Sequence, residues 1–207
     1  MPPLHLFYCP RQTGPDLGKV FYSSDGAAMA VVTTPELFKK LKGDQDMVTV
    51  KALQVVTSSG EEAHFDAWDG SYLQTTRIAA TRAYEEAGIA DPREELSLMD
   101  VHDCFSITEM VTMEDLHISP PGGAVDDVLD GFFDLDGGVP CQTDGGLKCF
   151  GHPIGASGLR MIYEMYNQLL HRLPEDRQVK DPELALTHNL GGFPWQNVCS
   201  ICVLGLG

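Results

Sequence analysis

A glycine-rich turn that leads into a long amphipathic helix is the feature that most constrains the fold of this chain. Residues 151–158 read GHPIGASG, and apolar side chains recur at helical spacing over 159–173. Glycines let backbone N–H groups approach a ligand closely, and the first turn of a helix offers unpaired donors to an anion. His152 lies at this entrance, and Pro153 restricts its backbone. The segment is either a turn that presents a reactive histidine or an ordinary entrance to a helix.

Strand and helix patterns alternate on both sides of this segment. Strands are predicted at 27–32, 48–57, 96–101, 184–188 and 198–204, and further helices at 35–42, 71–87 and 107–116. This alternation predicts a layered α/β fold with a mixed sheet, and it allows an antiparallel hairpin near the end. Residues 1–23 are expected to form an irregular opening segment, and 24–207 a single domain. The long stretch 119–150, rich in Gly and Asp, is expected to be a functional or flexible loop.

Charge and composition exclude several classes of protein. A net charge of −16 argues against nucleic acid as a partner, because phosphate binding needs a basic surface. No apolar run has the length of a membrane helix, and the opening residues do not resemble a signal peptide, so a cytoplasmic location is expected. Of the six cysteines, Cys199 and Cys202 form a CxxC pair, but strand alternation would point their sulfurs to opposite faces. We therefore expect no metal site.

Polar residues follow the predicted strand at 96–101. The segment His102-Asp103-Cys104 lies where that strand would turn into a helix, at the sheet edge where ligands collect in α/β folds. His102 can exchange a proton near neutral pH, and Cys104 can act as a nucleophile or as an acid/base. The alternative is a core cysteine beside an aspartate that caps the helix.

A third motif, Thr187-His188-Asn189-Leu190-Gly191-Gly192, lies where a later strand turns into a loop. Asn189 could orient a substrate carbonyl or a water molecule. A glycine turn within a hairpin explains the same residues without any chemistry.

The three motifs in this order resemble the C-terminal half of a thiolase, most closely the sterol-carrier-protein type and its bacterial and archaeal relatives. The resemblance rests on HDCF, then GGLKCFGHPIGASG, then HNLGG before a final strand, and SDGAA at 24–28 is similar to the family's segment at the entrance to the second half. It covers the chain from about residue 20 onward. It implies an α/β/α half that completes a five-layer fold with a partner half.

The resemblance also implies a role for each motif residue. His152 would activate the nucleophilic cysteine, and His102 would help to bind the thioester oxygen through a water in the oxyanion hole. Cys104 would be the acid/base for the α-carbon proton, because Asn189 stands where other thiolases carry that cysteine. The implied substrate-binding residues are Asn189 and, beside the pantetheine arm, Gly155, Ala156 and Ser157.

One part of the thiolase pattern is missing. The nucleophilic cysteine of thiolases belongs to the first half, and the resemblance places none of this chain's six cysteines at that position. A companion chain is therefore expected to carry the first half, and to cover the apolar face of the helix at 158–173. Coenzyme A thioesters would be substrates and no cofactor would be covalently bound. The cations near the motifs, Arg77, Arg82, Lys148 and Arg160, or a partner, would have to bind the polyanion.

Three functions follow from the resemblance. The first is an acyl-CoA acyltransferase that cleaves a 3-oxoacyl-CoA or condenses two acyl-CoAs. The second is a retro-aldolase of the same fold that acts on steroid side-chain CoA thioesters without a nucleophilic cysteine, with a small OB-fold or zinc-ribbon subunit as a further partner. The third is a non-catalytic subunit, which has no need for His102, Cys104 and His152 together.

Overall fold

Eleven helices and strands make up the described part of the chain. The computed structural model describes residues 25–60, 69–193 and 196–207, and the predicted opening segment 1–23 lies outside them. The helices are α1 (Pro35–Lys42), α2 (Gln74–Ala87), α3 (Pro92–Glu95), α4 (Ser106–Asp115), α5 (Ala124–Leu129), α6 (Gly146–Phe150) and α7 (Ile154–Leu169). The strands are β1 (Val48–Thr57), β2 (Leu98–Asp100), β3 (Leu184–Phe193) and β4 (Gln196–Leu206). Among these helices, none is both long and apolar enough to cross a membrane.

The four strands form one mixed sheet in the order β1-β4-β3-β2. Strand β4 is antiparallel to both β1 and β3, whereas β2 is parallel to β3. The predicted hairpin is therefore present, but its strands are longer than expected, because Gly191 and Gly192 still pair with Val198 and Asn197. The predicted α/β fold with a mixed sheet is confirmed.

One face of the sheet is covered by α2 and α4. Helix α2 ends at Gly88, whose φ of 75° favours glycine, and its small residues Ala79, Ala80 and Ala83 allow close packing on β1 and β4. Odd-numbered residues of β4, such as Ile201, point into this cluster. We call this the α2 face, and it holds the larger of the two apolar clusters.

Helix α7 covers part of the opposite face, which we call the α7 face. Met165 and Leu169 pack there against Leu98 and Cys202. Cys199 belongs instead to the cluster on the α2 face, so the two cysteines of the CxxC pair point to opposite sides, as predicted. The helix begins at Ile154 rather than after the glycine-rich segment, because Ala156 and Ser157 already donate backbone hydrogen bonds to the Pro153 carbonyl, at 2.8 and 3.1 Å.

The rest of the α7 face is apolar and uncovered. Five side chains of β1 and β4 are 42–62% exposed on it: Val50, Leu53, Val55, Val198 and Leu206. We call these five residues the bare strip. The predicted apolar face of the helix is buried only in part: Leu169 packs onto the sheet together with Met161 and Met165, whereas Tyr163 is 67% exposed. Contiguous exposed apolar surface of this kind typically marks an interface.

Two predictions about local structure were wrong, namely a strand at 27–32 and a continuous loop at 119–150. The segment 27–32 forms no strand, because none of the described residues pairs with its backbone, and Met29, Val31 and Val32 are at least 83% exposed. The stretch 119–150 contains α5 and α6, and its residues Phe133 and Val139 are buried in the core. The position of these residues in the sequence does not reveal that residues distant in the chain bury them.

Candidate active site

The structure brings together histidines that are fifty residues apart in sequence. His102 follows the carboxyl end of β2, and His152 lies in the short connection between α6 and α7. Their rings meet edge to face, with centroids 5.0 Å apart and planes at 75°. Two of the three motifs that carry the resemblance, HDCF and GHPIGASG, therefore meet at the same edge of the sheet.

Ser157 orients the ring of His152. Its hydroxyl lies 2.8 Å from Nδ1 of His152 and donates to the Pro153 carbonyl at 3.3 Å. When the hydroxyl donates to the Pro153 carbonyl, its oxygen accepts from Nδ1–H, and in that arrangement Nε2 is the basic nitrogen of the ring. Burial lowers the pKa of His152 from its usual value, while Asp103 opposes that shift. The ring is thus a neutral base of fixed orientation.

His102 is more deeply buried than His152, with 6% of its surface exposed. Burial, and next the neighbouring His152, lower the pKa of His102 to about 4. Its ring is therefore neutral at physiological pH. Nδ1 of this ring is buried and has no hydrogen-bond partner among the described residues. A neutral imidazole with an unused polar atom can bind an oxygen or a water molecule at the site.

Cys104 is half-buried at the start of α4. Its sulfur lies 3.9 Å from Oγ1 of Thr108. Burial raises the pKa of the Cys104 thiol, while its side-chain hydrogen bond with Thr108 and a hydrogen bond with the Phe105 backbone oppose the shift. The resting group is a thiol rather than a thiolate, which suits a proton donor better than a standing nucleophile.

Asp103 fastens this segment to α6. Its Oδ1 accepts a hydrogen bond from the Leu147 backbone N–H at 2.8 Å, and the residue is buried. Gly146 has a φ of 63°, and a Cβ there would lie 2.5 Å from Oδ2 of Asp103, so only glycine fits. Sequence reasoning offered Asp103 as a possible cap of the following helix, but Phe105 is the N-cap residue of α4.

The predicted substrate-binding residues lie around the first turns of α7. A Cβ on Gly158 would lie 3.4 Å from Nδ2 of Asn189, so this side chain rests against the helix. Gly155 is exposed with open space beside it, Ala156 is buried, and Ser157 points inward to His152. Asn189 and Gly155 therefore border the site, whereas the Ser157 hydroxyl supports a site residue.

Sequence reasoning missed an ionic link between β2 and α7. Arg160 forms an ion pair with Asp144 and lies 3.5 Å from Asp100, the last residue of β2. Burial raises the pKa of Asp100 to about 7, and Arg160 opposes the shift. This link ties the strand end that leads to His102 to the helix that follows His152. The available signal was an acid just before HDCF and a cation just after GASG.

Two of the four cations considered for a polyanionic ligand are engaged within the chain. Arg160 is held by Asp100 and Asp144, and Nε of Arg77 lies 2.6 Å from Oδ1 of the buried Asp115. Electrostatic binding of coenzyme A phosphates by Arg77 or Arg160 would therefore require the loss of internal ion pairs.

Comparison with known proteins places this chain in a family. Residues 57–204 match the model of the thiolase C-terminal domain-like family, and the chain belongs to that family. The chain is 33% identical over 169 residues to an acetyl-CoA acetyltransferase of Methanothermobacter thermautotrophicus, covering 82% of this chain and 42% of that protein. It is 36% identical over 174 residues to sterol carrier protein 2 of Oryctolagus cuniculus, covering 82% of this chain and 30% of that protein.

Two further proteins are similar to this chain, one in sequence and one in structure. The benzoylsuccinyl-CoA thiolase subunit BbsB of Thauera aromatica is 33% identical over 169 residues, covering 82% of this chain and 42% of the subunit. Among solved structures, the Ltp2-ChsH2(DUF35) aldolase is similar in fold, with a TM-score of 0.60 and 20% identity over 76% of this chain and 39% of that chain. The chain thus spans less than half the length of the relatives it matches.

Proposed function

We propose that this chain supplies the acid/base half of the active site of a thiolase-type acyl-CoA acyltransferase, which cleaves or forms 3-oxoacyl-CoA thioesters. The observation that carries the proposal is the edge-to-face contact of His102 with His152, 5.0 Å apart, in a thiolase C-terminal domain. Cys104 follows two residues after His102, at the same sheet edge. Claisen chemistry needs a base, an acid and donors for developing oxyanions, and these three residues can provide them.

His152 would be the general base for a nucleophilic cysteine on a companion chain. The Ser157 hydroxyl keeps Nε2 as the basic nitrogen, and the lowered pKa of His152 keeps the ring neutral and able to accept the thiol proton. The resulting thiolate would attack the substrate carbonyl and hold the acyl group as a thioester. In cleavage, that acyl group would then pass to the thiol of free coenzyme A. In condensation, coenzyme A would leave as the acyl group is transferred to the cysteine, and a second thioester substrate would enter.

Cys104 and His102 would act on the other product. In the cleavage direction, the bond between the α and β carbons breaks and leaves an enolate of the shorter thioester. Cys104, protonated at rest because burial raises the pKa of its thiol, would give its proton to the α carbon. The neutral His102 ring would support the enolate oxygen directly or through a water molecule. Condensation runs the same steps in reverse.

The bare strip and the segment 27–32 support the expectation of a companion chain with the first half of the fold. Both expose apolar side chains, and Gly26, at the start of that segment, packs on the ring of Pro153: a Cβ there would lie 2.8 Å from Cγ. A partner that covers this surface would therefore reach the site beside His152. The match covers 42% of the length of each of two relatives, so both are long enough to contain a first half as well.

We also expect partner chains to make most of the contacts with coenzyme A. Because Arg77 and Arg160 are committed to internal carboxylates, we expect the companion chain, or a small OB-fold or zinc-ribbon subunit, to bind the nucleotide phosphates. Gly155 and Asn189 would border the pantetheine arm.

The experiment is acyl transfer by the complex of this chain with its companion. Cys104→Ala and His152→Ala should each lower kcat by at least about a hundredfold, the usual contribution of a positioned proton-transfer group. Cys149→Ser, which alters an exposed cysteine, should leave the activity unchanged. Full activity in both site variants would refute the proposal, and a stable monomer without any partner would refute the companion chain.

A retro-aldol reaction is the second candidate, and one observation favours it: no cysteine of this chain corresponds to the thiolase nucleophile. Retro-aldol cleavage needs a base for a hydroxyl proton and a site for the enolate, both of which His152 and His102 could supply. Product analysis separates the two reactions. A ketone or aldehyde released beside a short acyl-CoA favours the aldolase, and acyl transfer to free coenzyme A favours the thiolase.

A further inference from the structure

His188 is a fully buried titratable side chain for which the proposed reaction has no use. It precedes Asn189 on β3 and points to the α2 face, away from the helix that His152 leads into. Burial, and next the neighbouring His102, lower the pKa of His188 to about 3, so the ring is neutral throughout the physiological range. A buried polar side chain on a strand must be satisfied by specific partners.

Both ring nitrogens of His188 have partners, and together they define its tautomer. Nδ1 lies 3.4 Å from the backbone nitrogen of His102, and Nε2 lies 3.1 Å from Oγ1 of Thr76 on α2. A backbone N–H can only donate, so Nδ1 is the acceptor and Nε2 carries the hydrogen. Nε2–H then donates to Thr76, whose hydroxyl donates to Sγ of Cys199 at 3.7 Å. This row of hydrogen bonds joins α2 and β4 to the main chain of His102.

The backbone of His102 lies beyond the last paired residues of β2 and β3. The pairing of β2 with β3 ends at Asp100 and Thr187. Beyond the last paired residues, the His188 ring provides the hydrogen bond instead: its Nδ1 accepts from the backbone N–H of His102, whose imidazole lies in the candidate active site. A shift of this main chain would change the contact of 5.0 Å between the rings of His102 and His152.

We propose that His188 is a positioning residue, whose Nδ1 holds the main chain of His102 so that the His102 ring faces His152. Thr76 is its support, because the hydroxyl keeps the hydrogen on Nε2 and Nδ1 available as an acceptor. The proposal rests on the proposed function, since it acts through His102. A purely structural role would require only that the ring fill its space and satisfy the buried polar groups.

Two replacements at the same position separate these roles. Asn at 188 places its amide oxygen near the position of Nδ1, so His188→Asn can keep the bond from His102 and lose the contact with Thr76. Gln reaches farther, so His188→Gln can keep Thr76 and lose His102. Both variants remove the aromatic ring, and comparable destabilisation of the fold is expected from both.

The first measurement is nuclear magnetic resonance on the chain, which does not depend on activity. Ring ¹⁵N shifts should report the Nε2–H tautomer of His188 from pH 5 to 8. Hydrogen exchange of the His102 amide should be slow in the unaltered chain and in His188→Asn, and at least about tenfold faster in His188→Gln. Thr76→Val leaves residue 188 intact but removes the acceptor of its Nε2–H. It should therefore speed exchange of the His102 amide, by less than His188→Gln does, and it tests the proposal if the histidine variants fail to fold. An Nδ1–H tautomer, or equal exchange in all variants, would overturn the proposal.

The second measurement is steady-state acyl transfer by the assembled complex. For His188→Gln we expect kcat to fall about tenfold or more with KM little changed, whereas His188→Asn should keep most of kcat. Equal losses of kcat that follow the loss of stability indicate a structural role and overturn the proposal. Two outcomes separate failure of this proposal from failure of the proposed function. If amide exchange behaves as expected but neither His188→Gln nor His152→Ala alters turnover, the proposed function fails as well. If His152→Ala lowers turnover and His188→Gln does not, only the positioning role fails.

Discussion

The two faces of the sheet are built from the same strands but have different surroundings. On β1, Ala52 points to the α2 face and is 1% exposed, whereas its neighbour Leu53 points to the α7 face and is 58% exposed. The α2 face is closed by two helices and by the stretch 119–150, and the α7 face is closed only where α7 lies. A sheet face that remains in water is typically lined with polar residues, whereas the uncovered part of the α7 face is apolar. The difference supports the proposal that a companion chain covers the α7 face beside His152.

The largest expected effect comes from truncating a side chain on the closed face. Ile201→Ala should lower the free energy of unfolding by about 2–5 kcal/mol, because the buried side chain leaves a cavity among well-packed neighbours. Urea denaturation at pH 7 measures it. A loss below about 1 kcal/mol would mean that the α2 face can relax around a cavity, and that its packing is looser than the structure indicates.

An intermediate effect should appear as a pH dependence of stability caused by Glu109, a buried carboxyl group on α4. Glu109 lies one turn before the buried Met113 on α4 and is itself fully buried, with both carboxylate oxygens unpartnered among the described residues. Burial, and next the charge of Asp103, raise its pKa to about 8, while Lys148 opposes the shift. The folded state therefore retains a proton that the unfolded state has already lost, and stability falls as the pH rises from about 4 to about 8.

Glu109→Gln tests this directly. Above pH 7 the carboxyl of Asp100, whose pKa is raised to about 7, contributes little further slope, and the histidines with lowered pKa are neutral in the folded state. Between pH 6.5 and 8 the unaltered chain should lose about 2 kcal/mol through Glu109, and Glu109→Gln should not lose that part. Urea denaturation across this range gives both curves. Glu85→Gln, at an exposed position of α2, is the control, and parallel curves for all three proteins would contradict the assignment.

Much of the fold could be predicted from sequence because its signals are local. Thr34 and Pro35 define the start of α1, and alternation identified β1 and both strands of the hairpin. The segment 27–32 was misread because an apolar β-branched run has the same pattern whether or not a neighbouring strand is available to it. A strand depends on a partner at long range, and sequence periodicity does not contain that partner.

The candidate site shows the same difference between features that local sequence predicts and contacts that depend on residues far apart in the chain. His102, Cys104 and His152 could be found because they lie within contiguous motifs, and the structure brings the two histidines into contact. The contacts of Asp103 with α6, of Arg160 with Asp100 and of His188 with Thr76 join elements far apart in sequence, so no motif records them. Spacing along a chain predicts which groups are present, whereas their orientation depends on neighbours contributed by other elements.

Substitutions on the bare strip are expected to have the smallest effect on folding. A substitution of Leu53 gives the sharpest test of the difference between the two faces of the sheet. Leu53→Ser should change the free energy of unfolding by less than about 0.5 kcal/mol, because the side chain is already largely in water. In the complex with a companion first half, the same variant should weaken binding by about tenfold or more, as expected for an apolar residue at the centre of an interface. Val125→Ser, at an exposed position of α5 outside the strip, should leave both quantities unchanged. If Leu53→Ser instead destabilised the isolated chain as strongly as Ile201→Ala, the α7 face would be closed within the chain and the argument for a partner there would fail.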